Sequence, residues 1–200
     1  MKFLFAILIF IFVGYSNEYV NQNILKQVEQ KYGRFAKNRF VALEKLIDNL
    51  KNKTEEEKIE LINDFFNNVK YASDIKNYGV TDYWATPFEF LARDQGDCED
   101  YVIAKYFTLK HLGIPAHKMY FTYVRVKGYE EAHMVLTYYK TPTSEPLVLD
   151  NLRNKIFPAS QRTDLTPVYN FNPEVLKDGK KTNAHRKWDE LLKKIRENKI

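Results

Sequence analysis

The chain has 200 residues, enough for one domain with a sizeable core and little room for a second. Apolar residues make up 44% and charged residues 28%, which excludes a disordered chain; a single cysteine excludes an internal disulfide framework and a cysteine-rich zinc site. The net charge of +5 comes mostly from lysines interleaved with Glu and Asp, the pattern of a solvated surface rather than a nucleic-acid-binding stripe, and only Lys177 to Ile200 concentrates positive charge.

The N-terminus reads Met1-Lys2, an apolar run from Phe3 to Val13, then Gly14-Tyr15-Ser16. This is the layout of a signal peptide over residues 1–16, cleaved after Ser16. The apolar run is short of the roughly 20 residues a helix needs to span a bilayer, although an uncleaved anchor is the alternative. Cleavage removes Lys2 and no acid, so the net charge becomes +4. The expected product is an exported, soluble protein in a single domain, residues 17–200.

Residues 17–70 read as helical. Val20, Ile24, Leu25 and Val28 recur at helical spacing, as do Leu43, Leu46, Ile47 and Leu50, with Gly33 as a separator. Thr54-Glu55-Glu56-Glu57 is a capping box opening a helix with Ile59, Ile62, Phe66 and Val69 on one stripe. Residues 71–97 read as mostly irregular, with a short helix start at Thr86-Pro87-Phe88-Glu89. After Gly96, a helix beginning near Cys98 carries Val102, Ala104, Tyr106 and Leu109 and stops at Gly113. Met119–Val126, His133–Tyr139 and Pro146–Leu149 have strand composition, with Lys140–Glu145 as a polar turn. Helices followed by a helix feeding an antiparallel sheet predict an α+β fold, with residues 71–172 as its core and 173–200 as a basic tail.

Cys98 sits where a glycine turn becomes a helix N-terminus, where free amides favour a thiolate or hold an oxyanion. A thiolate nucleophile needs a base, and the base an orienting acceptor. If the turn is centred between Thr141 and Pro142, His133 faces Asp150 across the hairpin, within hydrogen-bonding reach. The same residues also suit a buried core cysteine and a strand histidine with no chemical role. His111 reads as a helix-end residue, His117 as loop and His185 as tail. The acids Asp97, Glu99 and Asp100 around Cys98 disfavour a thiolate unless a cation offsets them, and carboxylate oxygens suit Ca²⁺. A solvated acidic helix start is the other reading of the same residues.

Several motifs occur together and in order: Asp82-Tyr83-Trp84-Ala85-Thr86-Pro87, Gly96-Asp97-Cys98-Glu99-Asp100-Tyr101, His133-Met134-Val135-Leu136 and Leu147-Val148-Leu149-Asp150-Asn151-Leu152. Pro158-Ala159-Ser160-Gln161-Arg162 and Asp164-Leu165-Thr166-Pro167-Val168-Tyr169 extend the set. From about Tyr71 to Asn172 the sequence resembles the bacterial transglutaminase-like cysteine proteinases, the LapG-type periplasmic proteases. The resemblance implies a papain-like fold with Cys98 as nucleophile, His133 as base and Asp150 as orienter. It also implies a Ca²⁺ cofactor held by Asp97 and Glu99, with Asp100 a weaker candidate. Proteins of this type clip a large repeat adhesin near its N-terminus, beside paired alanines, and so release cells from biofilm. An inner-membrane cyclic-di-GMP receptor of the LapD type sequesters them. The expected protein is thus a periplasmic, Ca²⁺-dependent cysteine endopeptidase with no nucleic-acid partner. Acyl transfer to an amine by the same residues, and a calcium- or receptor-binding module without catalysis, are the rival readings.

Overall fold

The computed structural model describes residues 18–174, 182–197 and 200, so the expected signal peptide lies outside the described residues. The first helix, α1 (Gln22–Leu50), is capped by the Asn21 side chain on the Ile24 amide and is broken at Gly33, whose φ of 83° no other residue adopts without strain. Its second half buries Ala36, Phe40, Leu43, Ile47 and Leu50. The capping box at Thr54 and Glu57 starts α2 (Glu55–Asn67) as expected.

The stretch read as irregular is more ordered than its composition suggests. It contains a two-residue strand β1 (Lys70–Tyr71), a five-residue helix α3 (Asp74–Tyr78) and α4 (Pro87–Arg93), which opens on a second capping box between Thr86 and Glu89. The two-residue strand β2 (Gln95–Gly96) pairs in parallel with β1, setting Tyr71 against Gly96. Gly96 admits no side chain: a Cβ there would fall 2.5 Å from both Asp100 Oδ2 and a Phe90 ring carbon.

Helix α5 (Cys98–His111) follows directly. It is more than an apolar stripe, because residues from Asp100 to Tyr106 are buried on every side. It packs against α2, α4 and the sheet. That sheet has five strands, all antiparallel, in the order β6-β5-β4-β3-β7. Three were expected, β3 (Met119–Val126), β4 (Ala132–Tyr138) and β5 (Leu147–Asp150); β6 (Arg153–Pro158) and β7 (Leu165–Phe171) were not. β6 is polar and exposed in its first half. β7 carries Pro167 beside a bulge, which an edge strand tolerates.

The hairpin turn sits one residue later than the sequence suggested. Ser144 closes a turn on Thr141 through its side chain and its amide, so the centre falls between Pro142 and Thr143. Leu136 therefore pairs with Leu149 and Thr137 with Val148. This moves the register by two residues and preserves which side chains share a face.

The basic tail is also corrected. Thr182 and His185 cap each other to start α6 (Asn183–Arg196), an amphipathic helix that buries Ala184, Trp188 and Leu191. Trp188 packs edge-on against Tyr106 and Phe121 and stacks on Phe107. Lys193 is exposed, while Lys187 and Lys194 lie over the rings of Trp84 and Tyr83, beside an apolar stripe that joins the main core. Among the described residues no helix is long and apolar enough to cross a membrane.

Candidate active site

Cys98 is the first residue of α5 and is partly exposed. Its position follows from the chain on either side: β1 pins the preceding turn through Tyr71 and Gly96, and the Ala72 amide donates to the Gly96 carbonyl at 2.8 Å. The first amides of a helix have no intrahelical partner, so those of Cys98 and Glu99 are available to an oxyanion. Cys98 shares a cleft of about 430 Å³ with His133, Tyr71, Tyr129, Glu131 and Leu152. The Met134 amide, one residue beyond His133, reaches the sulfur.

His133 is buried on β4, and its Nε2 lies 2.7 Å from Asp150 Oδ1. The same carboxylate oxygen accepts the Leu152 amide at 3.0 Å, and Oδ2 accepts from Arg162 Nη2 at 2.7 Å. Burial opposes ionisation of Asp150, but the donors from His133, Leu152 and Arg162 outweigh it and hold its pKa down to about 2. Asp150 is therefore an anion at neutral pH and Nε2 carries the shared proton, which leaves Nδ1 as the basic nitrogen. His111 packs at a tilt against Tyr19 at the end of α5, His117 is an exposed residue in the short 3-10 turn Ala116–Lys118 rather than a loop, and His185 is a buried helix cap rather than a tail residue.

The acids beside Cys98 form a larger group than their sequence positions suggest. Oxygens of Asp74, Asp97 and Asp100 lie within 4.8 Å of one another, and so do those of Asp74, Asp82 and Glu99. Asp74 joins the two sets, so Asp97 and Glu99 are linked through a residue that sequence reasoning missed. No local spacing ties α3 to the Cys98 turn; Asp82 belongs to the Asp82-Tyr83-Trp84-Ala85-Thr86-Pro87 motif, but only the fold brings it beside Glu99. Asp100 is fully buried and accepts the Ala85 amide at 2.8 Å, which ties the 82–87 loop to α5. Burial first, then Glu99, Asp100 and Asp74, push the Asp97 pKa up to about 10. Burial, reinforced by Glu99 and Asp97, pushes the Cys98 thiol well above its usual range. Asp97 Oδ1 and Asp74 Oδ1 are buried without a hydrogen-bond partner. Such atoms call for a ligand or a proton.

The family model of the bacterial transglutaminase-like cysteine proteinases (BTLCP) matches residues 42–171. Curated proteins yield no match. Among solved structures, calcium-bound Legionella pneumophila LapG is similar with a TM-score of 0.74 and 42% identity, over 86% of this chain and 98% of that chain. The EGTA-treated form of the same Legionella protein has a TM-score of 0.74 and 41% identity, over 86% of this chain and 96% of that chain. The family match spans more than half of the chain and the Legionella structure agrees with it at 42% identity over 86% of the chain, so the chain belongs to the bacterial transglutaminase-like cysteine proteinases.

Proposed function

We propose that this cysteine protease is an exported, Ca²⁺-dependent endopeptidase that uses Cys98, His133 and Asp150. The observation that carries the reading is the shared cleft of Cys98 and His133, with the imidazole held by Asp150 at 2.7 Å. His133 takes the Cys98 proton at Nδ1, and the thiolate attacks a peptide carbonyl. The tetrahedral oxyanion meets the first amides of α5. His133 then gives its proton to the leaving amine, and water activated by the same imidazole releases the acyl group from sulfur.

The acidic group fits a hard divalent cation: every donor is a carboxylate oxygen, and two of these are buried without partners. Asp97, Glu99 and Asp74 would hold Ca²⁺, with Asp100 and Asp82 beside them. A bound Ca²⁺ offsets the negative charge that otherwise opposes a thiolate at Cys98. The calcium-bound and EGTA-treated forms of the Legionella relative support Ca²⁺ as the ion.

The substrate we infer is a large surface adhesin, cut near its N-terminus beside paired alanines in the periplasm. An inner-membrane cyclic-di-GMP receptor would act as the sequestering regulator. The test is digestion of an N-terminal adhesin fragment by the parent and by Cys98→Ala, with Ca²⁺ present and with a primary amine added or omitted. Cleavage by the parent alone, with a free carboxylate at the new terminus in both conditions, supports hydrolysis. An amine adduct supports acyl transfer, and cleavage by Cys98→Ala rejects the cysteine mechanism.

A further inference from the structure

Asp150 is oriented by more than His133. Its side chain is fully buried, and the oxygen that does not face the imidazole accepts Arg162 Nη2 at 2.7 Å. Arg162 is 3% exposed and ends the short turn Ala159–Gln161. The guanidinium is itself held: Nε donates to Asp164 Oδ1 and Nη2 to Asp164 Oδ2, each at 2.9 Å. Asp164 is anchored in turn, because its carbonyl accepts the Lys127 amide at 2.8 Å where β3 runs into the loop bearing Tyr129 and Glu131. A rigid line of contacts thus runs from the loop over the cleft, through Asp164 and Arg162, to the acid behind His133.

Two physical consequences follow. A carboxylate bound at one oxygen can rotate about its Cβ–Cγ bond, whereas donors on both oxygens fix its plane and the direction of the His133 bond. The charges are also shared unevenly: Asp150 has Arg162 as its one arginine partner, on the oxygen away from the imidazole, whereas Asp164 is held by both Arg162 and, at 3.5 Å, the more exposed Arg153. A planar fork serves both acids together, which a lysine ammonium does not do in the same geometry.

We propose that Arg162, held by Asp164, is a positioning residue that fixes Asp150 and through it the imidazole of His133. The inference rests on the Cys98–His133–Asp150 reading above. Cys98 is the only thiol, so its alkylation by iodoacetamide reports the thiolate and its base without any substrate. Rates are compared for the parent, Arg162→Gln, Arg162→Lys, Asp164→Asn and His133→Ala, with Ca²⁺ present throughout. The downfield proton resonance of the His133–Asp150 bond is followed by NMR, and folding by circular dichroism. Arg162→Gln should slow alkylation at least tenfold and lose the resonance while remaining folded. Asp164→Asn should shift both in the same direction, and Arg162→Lys should recover only part of the rate. If Arg162→Gln does not fold, the other two variants decide the matter. Alkylation within twofold of the parent, with the resonance retained in the folded variants, would overturn the proposal. If His133→Ala alkylates as fast as the parent, it is the underlying triad reading that fails.

Discussion

Asp150 Oδ1 accepts the His133 Nε2 proton at 2.7 Å along a diagonal of the sheet rather than straight across it. The pairing of Leu136 with Leu149, carried one step further, sets Asp150 opposite Val135, two residues from His133 on the same face. Diagonal neighbours are farther apart at Cα than direct ones, and the long imidazole spans the difference.

Asp150→Asn tests that relationship. Asn keeps the size and can accept at its amide oxygen, but it removes the charge opposite the imidazolium and leaves Arg162 with Asp164 as its anionic partner. Cysteine proteases with Asn in this role exist, so the loss should be smaller than in a serine triad, on the order of 10²-fold in kcat with little change in KM. Acid stability should change as well. The folded pKa of Asp150 is about 2, below its ordinary 3.8, so its contribution is present above pH 4 and fades as pH falls toward 2. Asp150→Asn should remove about 2 kcal/mol of stability at pH 5 relative to pH 2, read from urea unfolding at both.

The face shared by His133 and Asp150 was legible in the sequence because strand alternation has period two and survives a two-residue error in the turn. The turn itself was not, since the Ser144 side chain decides its position. Cys98 and its neighbouring acids were visible as a local cluster. Asp74, Asp82 and Arg162 were not assigned to the site, because a helix of five residues, a loop and a second hairpin bring them there from distant positions. The α6 stripe of Ala184, Trp188, Leu191 and Ile195 was present in the sequence but hidden by the lysines around it.

Gly96→Ala should disrupt the nucleophile turn. The added methyl would fall on Asp100 Oδ2 and on Phe90, neither of which can withdraw from a buried site. Overpacking of this kind costs about 1–3 kcal/mol. The variant should melt lower than the parent and alkylate Cys98 more slowly; a parent-like melting temperature would mean that the turn has room this geometry does not contain.

Lys105 gives the protein a pH-dependent stability on the alkaline side. It is buried on α5, donates to Asn63 Oδ1 at 2.8 Å and Asn67 Oδ1 at 2.7 Å, and burial lowers its pKa to about 7. Between pH 7 and 10 the unfolded chain holds a proton there that the folded one lacks, so this site makes stability rise with pH. Lys105→Met should flatten that rise, by up to about 1 kcal/mol per pH unit, when melting curves are compared from pH 7 to 9. Its effect on activity should be indirect: Asn67, which Lys105 holds, donates to the Asp150 carbonyl at 2.8 Å. Equal pH slopes in the two proteins would show that Lys105 keeps its proton when folded.

The calcium proposal is tested most sharply at Asp74. This residue lies outside the Cys98 helix, so an effect there cannot come from the dipole of α5. Its Oδ2 accepts the Tyr83 amide at 2.5 Å, and its Oδ1 is buried without a partner and close to both halves of the acidic group. Asp74→Asn retains an acceptor for Tyr83 and removes the charge. If Asp74 is a ligand, Ca²⁺ should raise the melting temperature of the parent and do so far less in the variant. A ligand at 100 times its Kd stabilises a folded protein by about 2.7 kcal/mol, which scanning calorimetry resolves easily. Mg²⁺ should do less, because it demands octahedral geometry and sheds water reluctantly. Chelation should stop cleavage by the parent, and added Ca²⁺ should restore it. Asp97→Ala and Glu99→Ala should lose both the thermal shift and the activity while the Cys98 thiol still reacts with a small alkylating reagent once unfolded. Full cleavage by metal-free parent protein, verified by elemental analysis in excess chelator, would remove Ca²⁺ from the mechanism and leave the acids as a protonated, hydrogen-bonded cluster beside an intact Cys98, His133 and Asp150.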